Sequence, residues 1–118
     1  VNENRELTGG IIAPGMKTLA AALKLMTSKL PEVEIEKPDN VIQNTTVGAI
    51  QSGIVYGYFS LVDGLLTAVK KEAGDDGQVV ATGGFAQLIA ENCAHIDVVD
   101  KDLTLEGLRR LRARITDQ

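Results

Sequence analysis

The sequence predicts an α/β fold in which helices cover a mainly parallel sheet. Three observations predict it. In the second half, short Val- and Ile-rich runs at Val79–Thr82 and Ile96–Val99 alternate with helical patterns. Between residues 46 and 72, apolar residues recur every three or four positions. Glycine and proline fall at the junctions, at Pro14-Gly15, Pro31, Pro38 and Gly74-Asp75-Asp76-Gly77.

Taken in order, Asn2-Glu3-Asn4 predicts a tight, hairpin-like turn and Glu6 to Ala13 a strand. Gly9-Gly10 inside that strand marks a bulge or a close backbone approach. The opening reads as though a strand before it had been cut away, so the chain is expected to be a piece of something longer. Pro14-Gly15 ends the strand, and a helix follows from Met16 to Lys29, with Leu19, Leu23 and Met26 on one stripe. Pro31 to Pro38 alternates apolar with charged residues between two prolines and predicts an extended surface connector.

Asn44 or Thr45 then caps a long helix from Thr46 to Glu72. Its stripe is Val47, Ile50, Ile54, Tyr58, Leu61, Leu65 and Val69. The same helix carries Gly48, Gly53, Gly57 and Gly64. Each interior glycine costs up to ~1 kcal/mol relative to alanine, so close packing should offset it. Gly53, Gly57 and Ser60 or Gly64 form a small-residue face, for packing within one subunit or between two. Gly74–Gly77 breaks the helix. The Val79–Thr82 strand, a short helix from Phe85 to Asn92 and the Ile96–Val99 strand come next. A last helix, capped by Asp102 or Thr104, carries Leu105, Leu108, Leu111 and Ile115.

Composition narrows the function. The 118 residues are enough for one domain with a modest core. With two Phe, two Tyr and no Trp, that core must be aliphatic. A net charge of −4 and no basic cluster argue against nucleic acid. Arg109, Arg110, Arg112 and Arg114 crowd the last helix, but Asp100, Asp102, Glu106 and Asp117 surround them, so this is a solvated face. No apolar run approaches the ~20 residues of a membrane span, and no membrane partner is expected. Cys93 is alone, which excludes an internal disulfide and fits a reducing cytosol. His95 lies two residues on, but no orienting group follows, so the pair reads as a buried cysteine beside a surface histidine. One Cys and one His are too few for zinc. Asp63 reads as facing solvent or pairing with Lys70 or a partner chain.

Val79-Val80-Ala81-Thr82-Gly83-Gly84-Phe85-Ala86 runs from an apolar strand through paired glycines into a helix. Such a turn lets a ligand approach the backbone and aims helix N–H groups and the positive dipole end at it. The bare alternative is a plain turn that uses glycine for its backbone freedom.

Gly9-Gly10-Ile11-Ile12-Ala13-Pro14-Gly15, Thr46-Val47 with Gln51-Ser52-Gly53, Thr82-Gly83-Gly84, and Leu103-Thr104-Leu105-Glu106-Gly107-Leu108 follow one another in that order. Together they resemble the C-terminal half of type III pantothenate kinases, in the sugar kinase and actin superfamily, over nearly the whole chain. The resemblance implies that residues 1–118 form a ribonuclease H-like (actin-like ATPase) domain, a mixed sheet with helices packed on it. That domain would be incomplete at its N-terminus, with the N-terminal half of the enzyme absent. It implies ATP-dependent phosphorylation of pantothenate to 4'-phosphopantothenate, the first step of coenzyme A biosynthesis, in the cytoplasm. It also implies a homodimer through the 46–72 helix. Thr82, Gly83 and Gly84 would bind nucleotide, Gly9, Gly10 and Gly15 would line the cleft, and Thr46 would contact pantothenate bound in the partner subunit. Where the family pattern has Asn-Thr, this chain has Thr45-Thr46. Without the resemblance, Thr46 reads as a helix cap.

The family's Asp-x-Gly-Asn-Thr and Asp-x-Gly-Thr-Ala phosphate turns, and the aspartate that serves as base, are not among these residues. No catalytic residue is therefore expected here. No metal ligand is expected either, since those for Mg2+ and a monovalent cation (K+ or NH4+) would lie outside the chain. Phosphoryl transfer needs all of these parts, so the chain alone is expected to be inactive. Two other classes remain: a non-enzymatic accessory or regulatory protein of the Bvg accessory factor family, and a dimerisation module built on the Gly53/Gly57 face.

Overall fold

The computed structural model describes residues 1–74 and 77–116. Asp75 and Asp76 of the expected helix break, and Asp117 of the acidic surround, lie outside the described residues. The elements run α1 (Met16–Met26), α2 (Thr46–Ala73), β1 (Val80–Ala81), α3 (Ala86–Ala90), β2 (Val98–Val99) and α4 (Leu103–Thr116). The chain divides into two compact units, Val1–Tyr58 and Phe59–Gln118, with the division inside α2.

In the first unit the opening turn is closed twice over. Asn2 N–H donates to the Glu6 carbonyl at 3.0 Å, and Glu6 N–H donates to Asn2 Oδ1 at 2.9 Å. Arg5 takes a φ of 65° to make the reversal, a conformation that side chains seldom adopt. The strand expected over Glu6–Ala13 does not form. That segment pairs with no other among the described residues, and Leu7, Ile11 and Ile12 are exposed. An extended segment becomes a strand only when a neighbour takes its N–H and C=O groups.

Helix α1 stops at Met26, short of the expected Lys29, because Thr27 turns out to an extended φ of −133°. Its hydroxyl bonds the Leu23 carbonyl at 2.6 Å, competing with continuation of the helix. The connector is extended, as its prolines require, and three side chains of α2 tie it down. Gln51 donates to the Glu34 carbonyl, Ser52 to the Val41 carbonyl and Tyr56 to the Pro38 carbonyl. Ser52 is buried, and its hydroxyl is satisfied by this bond.

The core of α2 differs from the expected stripe. Val47 and Val69 are exposed, whereas Ile50, Ile54, Val55 and Phe59 are buried. Gly48, Ser52, Val55 and Phe59 form a second row at spacings of four, three and four. Apolar periodicity overlooks that row because glycine and serine do not count towards it. By length and composition α2 could cross a membrane, with an 18-residue window at mean hydropathy 1.3. A search for unbroken apolar runs misses this, because Gln51, Ser52, Ser60 and Asp63 interrupt the run without pulling the mean far down.

In the second unit β1 and β2 pair in parallel, Val80 with Val98 and Ala81 with Val99. Asp97 and Val98 N–H groups reach the Val79 carbonyl, and Asp100 N–H the Ala81 carbonyl. The parallel ladder in the second half is as expected, with helix α3 between its strands. A mixed sheet is not seen among the described residues, which hold this two-stranded sheet. Helix α3 spans Ala86–Ala90, shorter than expected. Phe85 sits outside helical geometry (φ −104°, ψ 4°), and Asn92 N–H closes a tighter turn on the Ile89 carbonyl. Helix α4 starts at Leu103, so Asp102 holds the cap position and its carbonyl accepts from Glu106 N–H at 2.8 Å.

Candidate functional site

Thr45 and Thr46 divide two tasks between them. Thr45 Oγ1 accepts from Gly48 N–H at 3.1 Å, and the Thr45 carbonyl accepts from Ala49 N–H at 2.9 Å, so Thr45 is the N-cap of α2. Asn and Thr both cap through a short oxygen-bearing side chain, so Thr45 in place of Asn keeps the local chemistry. Gly48 is needed for this cap. A Cβ there would meet Gln43 Oε1 at 2.7 Å and Thr45 Oγ1 at 2.9 Å.

Thr46 is the first residue of α2, is exposed, and is released from capping. It borders an open cavity of about 640 Å³ within the first unit. Leu19, Leu23 and Met26 of α1 form one side, with Leu30, and Ala49, Ile50, Gly53 and Ile54 of α2 form the other. Thr46 is the one polar side chain in that lining. A hydroxyl there can donate one hydrogen bond and accept two, against a wall that offers a ligand no other polar group.

Gly15 precedes α1 at the N-cap, with φ −76° and no side chain to cap with, and its carbonyl accepts from Leu19 N–H. Gly9 and Gly10 lie in the unpaired, exposed segment, and a Cβ at either would meet no atom within 4 Å. Of the first unit's expected site residues, Thr46 alone lines the cavity.

In the second unit Thr82, Gly83 and Gly84 are exposed at the exit of β1. Gly83 has a φ of +105°, so this turn requires glycine there. No atom lies within 4 Å of a Cβ built on Gly83 or Gly84, leaving the backbone open to a flat ligand. The dipole expected to assist is small, because α3 has five residues, and Ala86 N–H already donates to the Gly83 carbonyl.

Cys93 is buried, and its thiol reaches the Phe59 carbonyl at 3.5 Å. Burial pushes its pKa up, and the Asp63 carboxylate adds to this. A nucleophilic thiol needs the opposite shift. His95 is half-buried rather than on the surface, and it is engaged elsewhere. Its Nε2 lies 3.1 Å from Thr67 Oγ1 and 3.8 Å from Asp63 Oδ1. Asp63 therefore faces His95, a neighbour that the expected choice of solvent, Lys70 or a partner chain did not include. Thr67 gives its one hydroxyl proton to the Asp63 carbonyl at 2.9 Å, so towards His95 it accepts and Nε2 carries the hydrogen. Asp63 and Thr67 were readable as helix neighbours four apart, but nothing in the sequence brings His95 to them. Among the described residues no group of three or more His, Cys, Asp or Glu could hold a metal ion.

Comparison with known proteins places this geometry in a family. The family model for type III pantothenate kinase matches residues 1–68. A type III pantothenate kinase of Syntrophotalea carbinolica is 50% identical over 114 residues, covering 97% of this chain and 45% of that relative. One from Geotalea uraniireducens is 52% identical over 114 residues, covering 97% of this chain and 44% of that relative. The chain thus spans less than half the length of the curated relatives it matches. With more than half of its residues matched by the family model, the chain belongs to the type III pantothenate kinase family.

Proposed function

We propose that this chain forms the C-terminal, ribonuclease H-like part (residues 1–118) of an enzyme that transfers a phosphoryl group from ATP to pantothenate, giving 4'-phosphopantothenate. The observation that carries the reading is the family match over residues 1–68, which contains Gly9, Gly10, Gly15 and Thr46. The α/β character and the parallel β1–β2 pair are compatible with that fold. Thr82, Gly83 and Gly84 form a wall for the adenosine side of ATP, supported by the open, left-handed turn at Gly83. ATP supplies the phosphoryl group when bound. Thr46 holds pantothenate by its hydroxyl, projecting from an otherwise apolar rim, and Gly9, Gly10 and Gly15 border the cleft. Mg2+ and a monovalent cation, K+ or NH4+, are held by residues other than those described here, and no step is assigned to them. The enzyme acts in the cytoplasm as a homodimer through the 46–72 helix, without nucleic acid or membrane. The polar groups along α2, Gln51, Ser52 and Asp63, support a helix packed in protein rather than in lipid.

Two measurements test this. The purified chain, given ATP and pantothenate, is expected to show no turnover, and turnover by the chain alone would overturn its assignment as a part. In the intact Geotalea uraniireducens relative, alanine at the position matched to Thr46 should raise KM for pantothenate by roughly tenfold, the worth of one hydrogen bond. An unchanged KM would remove Thr46 from the substrate site.

A further inference from the structure

We propose that Ser52 and Tyr56 are positioning residues for the substrate: by holding residues 38–45 along α2 they fix the first turn of that helix, and with it the direction in which Thr46 presents its hydroxyl. This rests on the reading of Thr46 as the pantothenate contact and deepens it. Thr45, Gly48, Ser52 and Tyr56 follow one another at steps of three, four and four, so they share one face of α2. The connector runs antiparallel to the helix down that face and is held at each step. The Tyr56 hydroxyl donates to the Pro38 carbonyl at 2.7 Å, and Lys37 Nζ lies 5.8 Å from the centre of the Tyr56 ring. Ser52, only 5% exposed, donates to the Val41 carbonyl. Gln43 comes next, so close that a Cβ at Gly48 would meet its Oε1 at 2.7 Å. The run ends at Thr45, bonded to Gly48 N–H.

Thr46 follows Thr45 by one residue, about 100° further round the helix. That step turns it from the held face towards the cavity wall of Ala49, Ile50, Gly53 and Ile54. A helix end frays readily, because its first four N–H groups have no partners within the helix. On a free end the Thr46 hydroxyl would sample several directions, and ordering it on the substrate would cost conformational entropy. The fastened connector removes that freedom before the substrate arrives. Ser52 and Tyr56 are not among the residues that line the cavity, so their effect on the substrate passes through Thr46.

A double-mutant cycle tests this in the intact Geotalea uraniireducens relative, with Thr46, Gly48, Ser52 and Tyr56 of this chain set at the matched positions. Tyr56→Phe removes one hydroxyl and keeps the ring. It should raise KM for pantothenate roughly fivefold, while kcat and KM for ATP change less than about twofold. With Thr46→Ala already present, Tyr56→Phe should shift KM for pantothenate less than about twofold, because no hydroxyl is left to place. In this chain alone, Gly48 N–H should exchange with solvent roughly fivefold faster in Tyr56→Phe. If Thr46→Ala raises KM and Tyr56→Phe does not, the positioning role is overturned and Thr46 keeps its place. Multiplicative effects in the cycle, an equal rise in both KM values, or unchanged exchange at Gly48 would also overturn it. An unchanged KM in Thr46→Ala would remove the substrate reading, and this proposal with it.

Discussion

Thr45 and Thr46 are adjacent and chemically identical, yet the turn into α2 gives them different work. Thr45 bonds Gly48 N–H, and Thr46 borders the cavity. Thr45→Ala should therefore cost about 1 kcal/mol in urea denaturation, whereas Thr46→Ala should stay within about 0.5 kcal/mol. Equal losses at both positions would contradict this division of labour. The family pattern marked the pair, but which hydroxyl caps depends on where the helix begins, and boundaries are the least local feature of a helix. Cys93 was legible as buried, and its surroundings make it inert. With its pKa raised by burial, Cys93 should react with iodoacetamide at pH 8 at least about 100-fold more slowly in the folded chain than in urea. Fast labelling of the folded chain would refute burial.

At the scale of elements, α4 shows how charge sets a local pH response. Arg109 binds Glu106 through two nitrogens at 2.7 and 2.8 Å, and Arg110 Nε adds a third bond at 2.8 Å. Hydrogen bonds from Arg109 and then Arg110 hold the Glu106 carboxyl down to about 2, from an ordinary value of 4.5. A depressed carboxylate stabilises the folded form above its unfolded pKa. The contribution is thus complete above pH 4.5 and is lost as the pH falls through about 2. Carboxyl NMR should place the Glu106 midpoint near 2, and a midpoint near 4.5 would mean that the clamp is absent in solution. On α2, Gly53 and Gly57 carry nothing within 4 Å of a Cβ position, so packing among the described residues does not account for them. If the proposed homodimer uses this face, Gly57→Leu should reduce the mass measured by light scattering to that of one chain. A dimer mass that survives the substitution would exclude the face. Periodicity found α2 and its two ends, whereas the Gly48–Ser52–Val55–Phe59 row escaped it, because small residues become core only where a neighbour lies close.

Over the whole molecule, local signals and long-range ones separate cleanly. The sequence by itself determined the helices, the parallel character of the sheet in the second half, the glycine turn at Gly83 and, through four ordered motifs, the family. These rest on spacing, propensity and backbone freedom, which act between residues close in the chain. Only the tertiary structure decided that Thr45 caps and Thr46 does not, and that Asp63 meets His95. It also decided that the connector is tied to α2 through Glu34, Pro38 and Val41, and that Leu7–Ala13 stays unpaired. Each of these is a question of which group stands opposite another. A hydroxyl, an imidazole or a strand edge acquires its role from the partner that satisfies its hydrogen bonds, and residues distant in sequence supply that partner.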